Sequence, residues 1–261
     1  MRITYRSRGV KEYWTTRWED IPVDAPMENT GVYPLKYAEM AVRKKEARIL
    51  EAGCGAGRIL RYYHDRGYDI VGIDFIPVAI EKLKAADPTL KVQTGDITNL
   101  HFGDGVFDCV LAFGLYHNLQ HDLDKAVQET SRVLAPGGTV CASFRADNIQ
   151  TRLTDWLADR RTKSDSGAPK EFHKMNLTRA EFRSLFERAG FKIDYLSSVE
   201  NMPILYKFRF FRASSHKDFN ENRARMEGYR LSRLGQFLQN LMMRYFPDQF
   251  CNIYVLIAHK A

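Results

Sequence analysis

The chain has 261 residues, 44% of them hydrophobic and 27% charged, with a net charge of +7 at pH 7. That is the composition of one α/β domain with insertions, or at most two small domains, and it excludes collagen, coiled coil and disorder along the full length. Unbroken apolar stretches near the C-terminus reach only about five residues, against the roughly 20 that a membrane-spanning helix needs. The opening MRITYRSRGV has no apolar core behind its charges, so no cleaved secretory signal is expected. Cys54, Cys109, Cys141 and Cys251 lie far apart with no CxxC pair, which predicts neither a zinc nor an iron–sulfur site and points to a reducing, cytoplasmic compartment.

Residues 1–47 form an N-terminal extension carrying Tyr13, Trp14, Trp18, Tyr33 and Tyr37. From about 48 to 145, β-rich runs at 48–51, 69–74, 90–94, 107–113 and 139–144 alternate with helical patterns, the pattern of a parallel α/β sheet. Between them, 122–134 places Leu123, Ala126, Val127, Thr130, Val133 and Leu134 on one helix face, and Pro136-Gly137-Gly138 reads as a stop and turn. A short helix is expected over 153–160, then a polar loop over 162–174. Thr178 with Glu181 three positions on predicts a capping box, opening a helix that buries Phe182, Leu185, Phe186 and Ala189 and feeds a strand at 191–197. After a long interruption, 252–259 supplies the last strand.

The interruption is chemically distinct. Residues 201–250 hold nine Lys/Arg against four Asp/Glu, and ten of the chain's 32 aromatics. Tyr206, Phe208 and Phe210 alternate with Lys207 and Arg209, and Leu231, Leu234, Leu238, Leu241 and Tyr245 repeat at helical spacing. Three readings stay open: a cap helix burying its stripe on the domain or on a second copy in a homodimer, a peripheral contact with an anionic membrane, or a basic-aromatic stripe for RNA.

The strongest chemical signal is Ile49-Leu50-Glu51-Ala52-Gly53-Cys54-Gly55-Ala56-Gly57-Arg58. Alternate glycines let the backbone turn sharply from strand to helix and approach a ligand closely. A dinucleotide fingerprint needs its third glycine one position later, where Arg58 stands. The spacing is E-x-G-x-G-x-G instead. Its leading acid would repel a pyrophosphate but suits a ligand carrying an ammonium and a sulfonium. Asp74, ending the second strand, is placed to accept hydrogen bonds from both hydroxyls of a ribose. Gly95-Asp96-Ile97 offers a carboxylate for an exocyclic amine beside an apolar wall.

In series, ILEAGCGAGR, VGIDF, TGDITNL, FDCVLAFGLYHNL and LAPGGTV make the chain resemble the class I S-adenosylmethionine-dependent methyltransferases, in the branch that modifies small molecules. The resemblance spans roughly residues 45–145, with 178–198 and 252–261 also fitting. It implies a Rossmann-like α/β fold: a seven-stranded sheet with the last strand antiparallel, helices on both faces, and S-adenosylmethionine at the strands' C-terminal edge, leaving as S-adenosylhomocysteine. The domain organisation expected is a lid over 1–47, the methyltransferase domain over 48–202 and 251–261, and a substrate cap over 203–250. Carried over by residue, the resemblance puts Glu51, Gly53 and Gly55 at the methionine end, with Cys54 as a small apolar filler. Asp74 takes the ribose, Phe75, Asp96 and Ile97 the adenine, and the Phe113 carbonyl the ammonium, with Gly114 beside it. Trp18, with Tyr13, Trp14 and Arg17, folds over the cofactor as a lid or packs without touching it.

Methyl transfer is an in-line displacement, so alignment supplies much of the acceleration, and a base is needed only where the acceptor has a proton to lose. His117 is the base candidate, or else packs under the lid, with Tyr116 as a positioning residue. His173 is a second candidate, and Arg145 faces an acidic acceptor or forms a surface salt bridge. After Phe113 stands Gly114-Leu115-Tyr116-His117 rather than the Asn/Asp-Pro-Pro-aromatic run of base-amine methylation, and no cysteine has a Pro-Cys context, so nucleic acid is not the expected partner. No acidic metal cluster is evident and no metal is expected. The expected activity is methyl transfer to an oxygen, nitrogen or carbon of a small molecule, lipid- and sugar-linked acceptors included. The alternatives are an inactive cofactor-binding scaffold and an RNA methyltransferase.

Overall fold

The computed structural model describes residues 1–6, 9–23, 26–162, 170–199, 203–218 and 228–261. The chain starts with β1 (Arg2–Arg6), α1 (Val10–Asp20) and α2 (Leu35–Ala41). Strands and helices then alternate: β2 (Arg48–Ala52), α3 (Arg58–His64), β3 (Asp69–Asp74), α4 (Pro77–Ala86), β4 (Val92–Thr94), β5 (Phe107–Ala112), α5 (Leu123–Val133) and β6 (Leu134–Arg145). There follow α6 (Ile149–Thr162), β7 (Glu171–Asn176), α7 (Arg179–Arg188), β8 (Phe191–Ser198), the single turn α8 (Pro203–Tyr206), α9 (Arg233–Tyr245), α10 (Pro247–Phe250) and β9 (Ile253–Lys260). Among the described residues, no helix is long and apolar enough to cross a membrane.

Seven strands pair in the order β4-β3-β2-β5-β6-β9-β8, with β9 antiparallel to both neighbours. The inner strands are apolar on both faces because helices cover both. Successive side chains alternate between two cores: Leu50, Val110 and Phe144 join Phe182 and Phe186 of α7, whereas Ile49, Leu111 and Cys141 face Tyr37, Leu60 and Tyr63 of α2 and α3. In α5 the buried set is Ala126, Val127, Thr130 and Val133, and Thr178 with Glu181 forms both halves of the capping box that opens α7.

The structure departs from the sequence reading in four places. Pro136-Gly137-Gly138 does not separate helix from strand: β6 starts at Leu134 and absorbs the glycines in an irregular entry, Gly137 at φ 72°. The short helix expected over 153–160 is the longer α6. Part of the loop expected over 162–174 (163–169) lies outside the described residues, but its end is β7, which pairs antiparallel with β1. His173 therefore sits on a strand, and the N-terminal extension begins as one. Ion pairs tie β1 to α6 and the turn before it, Arg2 meeting Asp147 at 2.7 Å and Asp155 at 2.8 Å.

The fourth departure concerns Tyr116. It is fully buried rather than facing a ligand, its hydroxyl sharing a 2.7 Å hydrogen bond with Thr130 and its ring edge-on to Phe186. The single 3-10 turn Tyr116–Asn118 sends Tyr116 into the core between α5 and α7, so its side chain does not line the cleft. Of the readings left open for α9, burial of the stripe on the domain is not what is found: Leu234, Phe237, Leu241 and Tyr245 are exposed, and the helix packs inward through Gly235, Gln239 and Met243.

The Tyr116 assignment has a direct test. Tyr116→Phe removes one buried hydroxyl bond and should lower the stability to urea by about 1 kcal/mol, while ligand affinity at the sheet edge stays unchanged. A Tyr116→Phe protein of full stability but weakened ligand binding would return the residue to the site.

Candidate active site

β2, β3 and β5 run parallel and end at one edge of the sheet, and the strand order reverses at β2, with β3 and β4 on one side and β5 and β6 on the other. Such a switch point opens a crevice beyond the strands' carboxyl ends. The β2–α3 loop that borders it holds Gly53, Gly55 and Gly57 at φ 75°, 51° and 71°, a left-handed backbone that residues with a Cβ resist. The loop is clipped to the end of β3: Gly53 and Cys54 N–H both donate to the Ile73 carbonyl, at 2.8 and 2.9 Å, and Gly55 N–H donates to Asp74 Oδ2 at 2.8 Å. Asp74 Oδ1 accepts from Ile76 N–H at 2.9 Å, which holds the entry to α4.

Glu51, one residue before the end of β2, is buried, and its Oε2 has no hydrogen-bond partner among the described residues. Burial pushes its carboxyl up to about 8, helped by the charge of Asp74 and opposed by a Leu60 backbone bond and by Arg58. Asp74 is also raised by burial, against the pull of its two N–H donors. Asp96, after β4, turns one oxygen onto the Thr98 N–H and hydroxyl, both at 2.8 Å.

These acids face a cleft of about 830 Å³, within the range of small-molecule sites. Its roof is α1. Trp14 and Trp18 stack with centroids 5.1 Å apart, and Trp18 lies so close over Gly55 that an added Cβ there would come within 2.5 Å of its ring. Lys11 sits 5.5 Å over the exposed ring of Phe75. The roof is pinned by Lys82 of α4, whose Nζ donates to the carbonyls of Trp18, Glu19 and Ile21 at 2.8–2.9 Å, a cation satisfying the carbonyl end of a helix.

At the far end, Gly114 N–H donates to Ser143 Oγ at 2.9 Å, the same oxygen that meets the Tyr33 hydroxyl, and Asn118 Nδ2 donates to the Gly114 carbonyl at 2.7 Å. Phe113 meets Tyr33 edge-on. His117 is buried on this wall, its ring 6.3 Å from that of Phe144. Beyond it lie His173, Lys174 and Arg145. Burial, then the positive charges of Arg6, Lys174 and Arg145, pushes His173 down to about 4. Burial and Arg145 push Lys174 down to about 7, although Asp155 stands 2.9 Å from its ammonium.

The structure thus brings Glu51, Gly53, Cys54, Asp74, Phe75, Asp96, Ile97, Phe113, Gly114, His117 and Trp18 to one cleft. Gly55 lies behind Trp18 with its N–H spent on Asp74, and Tyr116 is outside. Tyr37, Cys54 and Tyr33 also serve the core, so their place on the wall is partly structural. Sequence reasoning missed Lys174, Asn252, Tyr229 and Gln239, which reach the cleft from β7, from the position before β9, and from α9 and the stretch leading to it, and share no local motif.

Residues 50–142 match the family model of a methyltransferase domain. A demethylmenaquinone methyltransferase of Thermus thermophilus is 40% identical over 107 residues, 38% of this chain and 48% of that protein. The EEF1A lysine methyltransferase 4 of Mus musculus is 27% identical over 194 residues, 65% of this chain and 76% of that protein. The chain spans about half the length of most curated relatives it matches. A SAM-dependent methyltransferase from Methanosarcina mazei has a similar fold, with a TM-score of 0.59, 19% identity, and 88% of this chain and 98% of that one covered. Residues 50–142 are thus a methyltransferase domain, set in a chain that shares the fold of that SAM-dependent methyltransferase.

Proposed function

We propose that the chain transfers a methyl group from S-adenosylmethionine to a small-molecule acceptor held under the α1 roof. One observation carries the cofactor reading: a buried carboxylate oxygen on Glu51 with no hydrogen-bond partner among the described residues, beside a backbone-tethered Asp74 in the same cleft. An unpaired buried acid is costly unless a ligand completes it, and an ammonium is the complement it calls for. Glu51 would hold the methionine end, Asp74 the ribose, and Phe75, Asp96 and Ile97 the adenine. Bound, the cofactor supplies an electrophilic methyl on a sulfonium.

The acceptor reading rests on the size and lining of the cleft: Arg145, His173, Tyr229 and Gln239 line the same cleft as His117, and its volume is that of a small-molecule site. The chain's residues there align the acceptor and exclude water, both of which favour a displacement that disperses charge. For an acceptor that must lose a proton, buried His117 is the group placed to take it. Among the relatives, the demethylmenaquinone enzyme fits this reading, whereas the lysine methyltransferase points to a protein acceptor. Methyl-labelled cofactor incubated with cell extract separates the two: label in small metabolites or lipids supports the proposal, and label confined to protein overturns the acceptor class.

The residues make three further predictions. Asp74→Asn should weaken cofactor binding about tenfold or more by calorimetry, through loss of charge-assisted hydrogen bonds; unchanged affinity would remove Asp74 from the site. His117→Ala should lower turnover about 100-fold with cofactor affinity unchanged, and a near-normal rate would make the imidazole a packing group. The third prediction concerns pH. Because Glu51 rises from 4.5 to about 8 on folding, the ligand-free fold binds more protons than the unfolded chain in that window, so its stability falls as pH rises through it. A cationic ligand reverses the preference. Cofactor affinity should therefore rise with pH up to about 8, and calorimetry in two buffers at pH 7 should register release of about one proton. Both effects should vanish in Glu51→Gln, and a wild-type affinity independent of pH would refute the pairing.

A further inference from the structure

Helix α9 presents its faces in the reverse of the usual order. The side packed on the protein carries Gly235, Gln239 and Met243, while Leu234, Phe237, Leu241 and Tyr245 form a stripe on the solvent side, Phe237 and Tyr245 more than 60% exposed. At 100° per residue these four lie within about 80° of one another, and Arg233 and Arg244 border one edge of the stripe. The orientation is fixed by the fold. Ser232 caps the helix through Gly235 N–H, Ser232 N–H donates to the Phe211 carbonyl at 2.7 Å, and a Cβ on Gly235 would come within 2.8 Å of that carbonyl. Turning the stripe inward would break this seat.

The same seat brings Phe208 and Phe210 beside the start of α9, the latter 72% exposed, and Phe246 extends the surface past its end. Exposed Lys207, Arg209, Arg233 and Arg244 lie next to these aromatics along the chain or on the same helix. Across 203–250 the chain holds nine Lys/Arg against four Asp/Glu. Of those acids, Asp248 is engaged by Ser198 and Arg179.

We propose that this outer face of α9, with Phe208, Phe210 and Phe246, docks on an anionic lipid bilayer, the apolar stripe entering the interface and the basic rim meeting the headgroups. Aromatic and aliphatic side chains on one face with arginines at its edge are the features that hold a helix in the plane of a membrane surface. A second copy on this face would set one positive rim against another, whereas an anionic bilayer neutralises it. Docking would bring the cleft close to the lipid, since Gln236 and Gln239 of the same helix line its wall. The inference does not rest on methyl transfer, and its test needs no turnover.

The full chain should co-sediment with vesicles of mixed phosphatidylcholine and phosphatidylglycerol, far less with phosphatidylcholine alone, and less in high salt as the headgroup attraction is screened. Phe237→Ser with Leu241→Ser, both solvent-facing, should weaken vesicle binding at least about tenfold while leaving the circular dichroism spectrum and melting temperature unchanged. Arg233→Glu with Arg244→Glu should abolish the preference for anionic vesicles. Absence of vesicle binding, or binding that the two double variants leave intact, would overturn the proposal. So would a dimer in sedimentation that Phe237→Ser dissolves, which assigns the face to a second copy, or capture of single-stranded RNA in place of vesicles.

Discussion

The geometry of the site rests on the clip between the glycine loop and the end of β3. Two N–H groups on one Ile73 carbonyl and a third on Asp74 fix a loop whose three glycines all lie in the left-handed region. The hydrogen bonds compensate a backbone that is entropically costly to order. Asp74 then does two jobs. One oxygen anchors the loop and the other starts α4, so the carboxylate that faces the cleft is also the joint between two βα units. Trp18 can lie on Gly55 only because that position has no side chain, and the roof can stay there only because Lys82 on α4 gathers the open carbonyls of α1. Loop, helix and roof are thus held by one chain of contacts running through Asp74.

The cleft concentrates acid where water has been removed. A carboxyl held near 8 by burial represents up to about 5 kcal/mol of unfavourable ionisation at high pH, set against the rest of the fold. The surrounding structure is built to bear it: on both faces the sheet buries near-continuous apolar strands, and the lower core under Glu51 includes Ile49, Leu60 and Tyr63. Local cost at the site and redundancy beneath it are the usual division between function and stability.

How much of this was legible follows from how local each signal is. The glycine loop, the acids at the ends of β2 and β3, the α5 face and the capping box of α7 are each encoded within ten or so residues, and each was readable as such. The β1–β7 pairing joins residues about 170 apart, and neither RITYR nor EFHKMN announces its partner. That pairing is what carries Lys174 to the cleft wall beside His173, so the place of Lys174 could not be seen from the chain alone. Tyr116 and His117 show a finer limit. They are neighbours in a turn too short to have a period, and only the turn's orientation sends the imidazole to the cleft and the phenol to Thr130.

Helix α9 shows why periodicity alone cannot orient an element. Hydrophobic spacing identifies an amphipathic helix and its stripe, and the default inference turns the stripe toward the core. Here the seat is set by a glycine that lets the helix approach the Phe211 carbonyl and by a serine cap bonded to the same segment, and those two small residues lie opposite the stripe. Close approach outranks apolar content: no large side chain fits where Gly235 packs, so Leu234 and Phe237 are directed outward whatever burial they forgo. A helix fixed in this way has two distinct faces, a polar one that contributes Gln236 and Gln239 to the cleft wall and an apolar one turned to solvent. Because both belong to one rigid element, anything that holds the outer face also holds the wall.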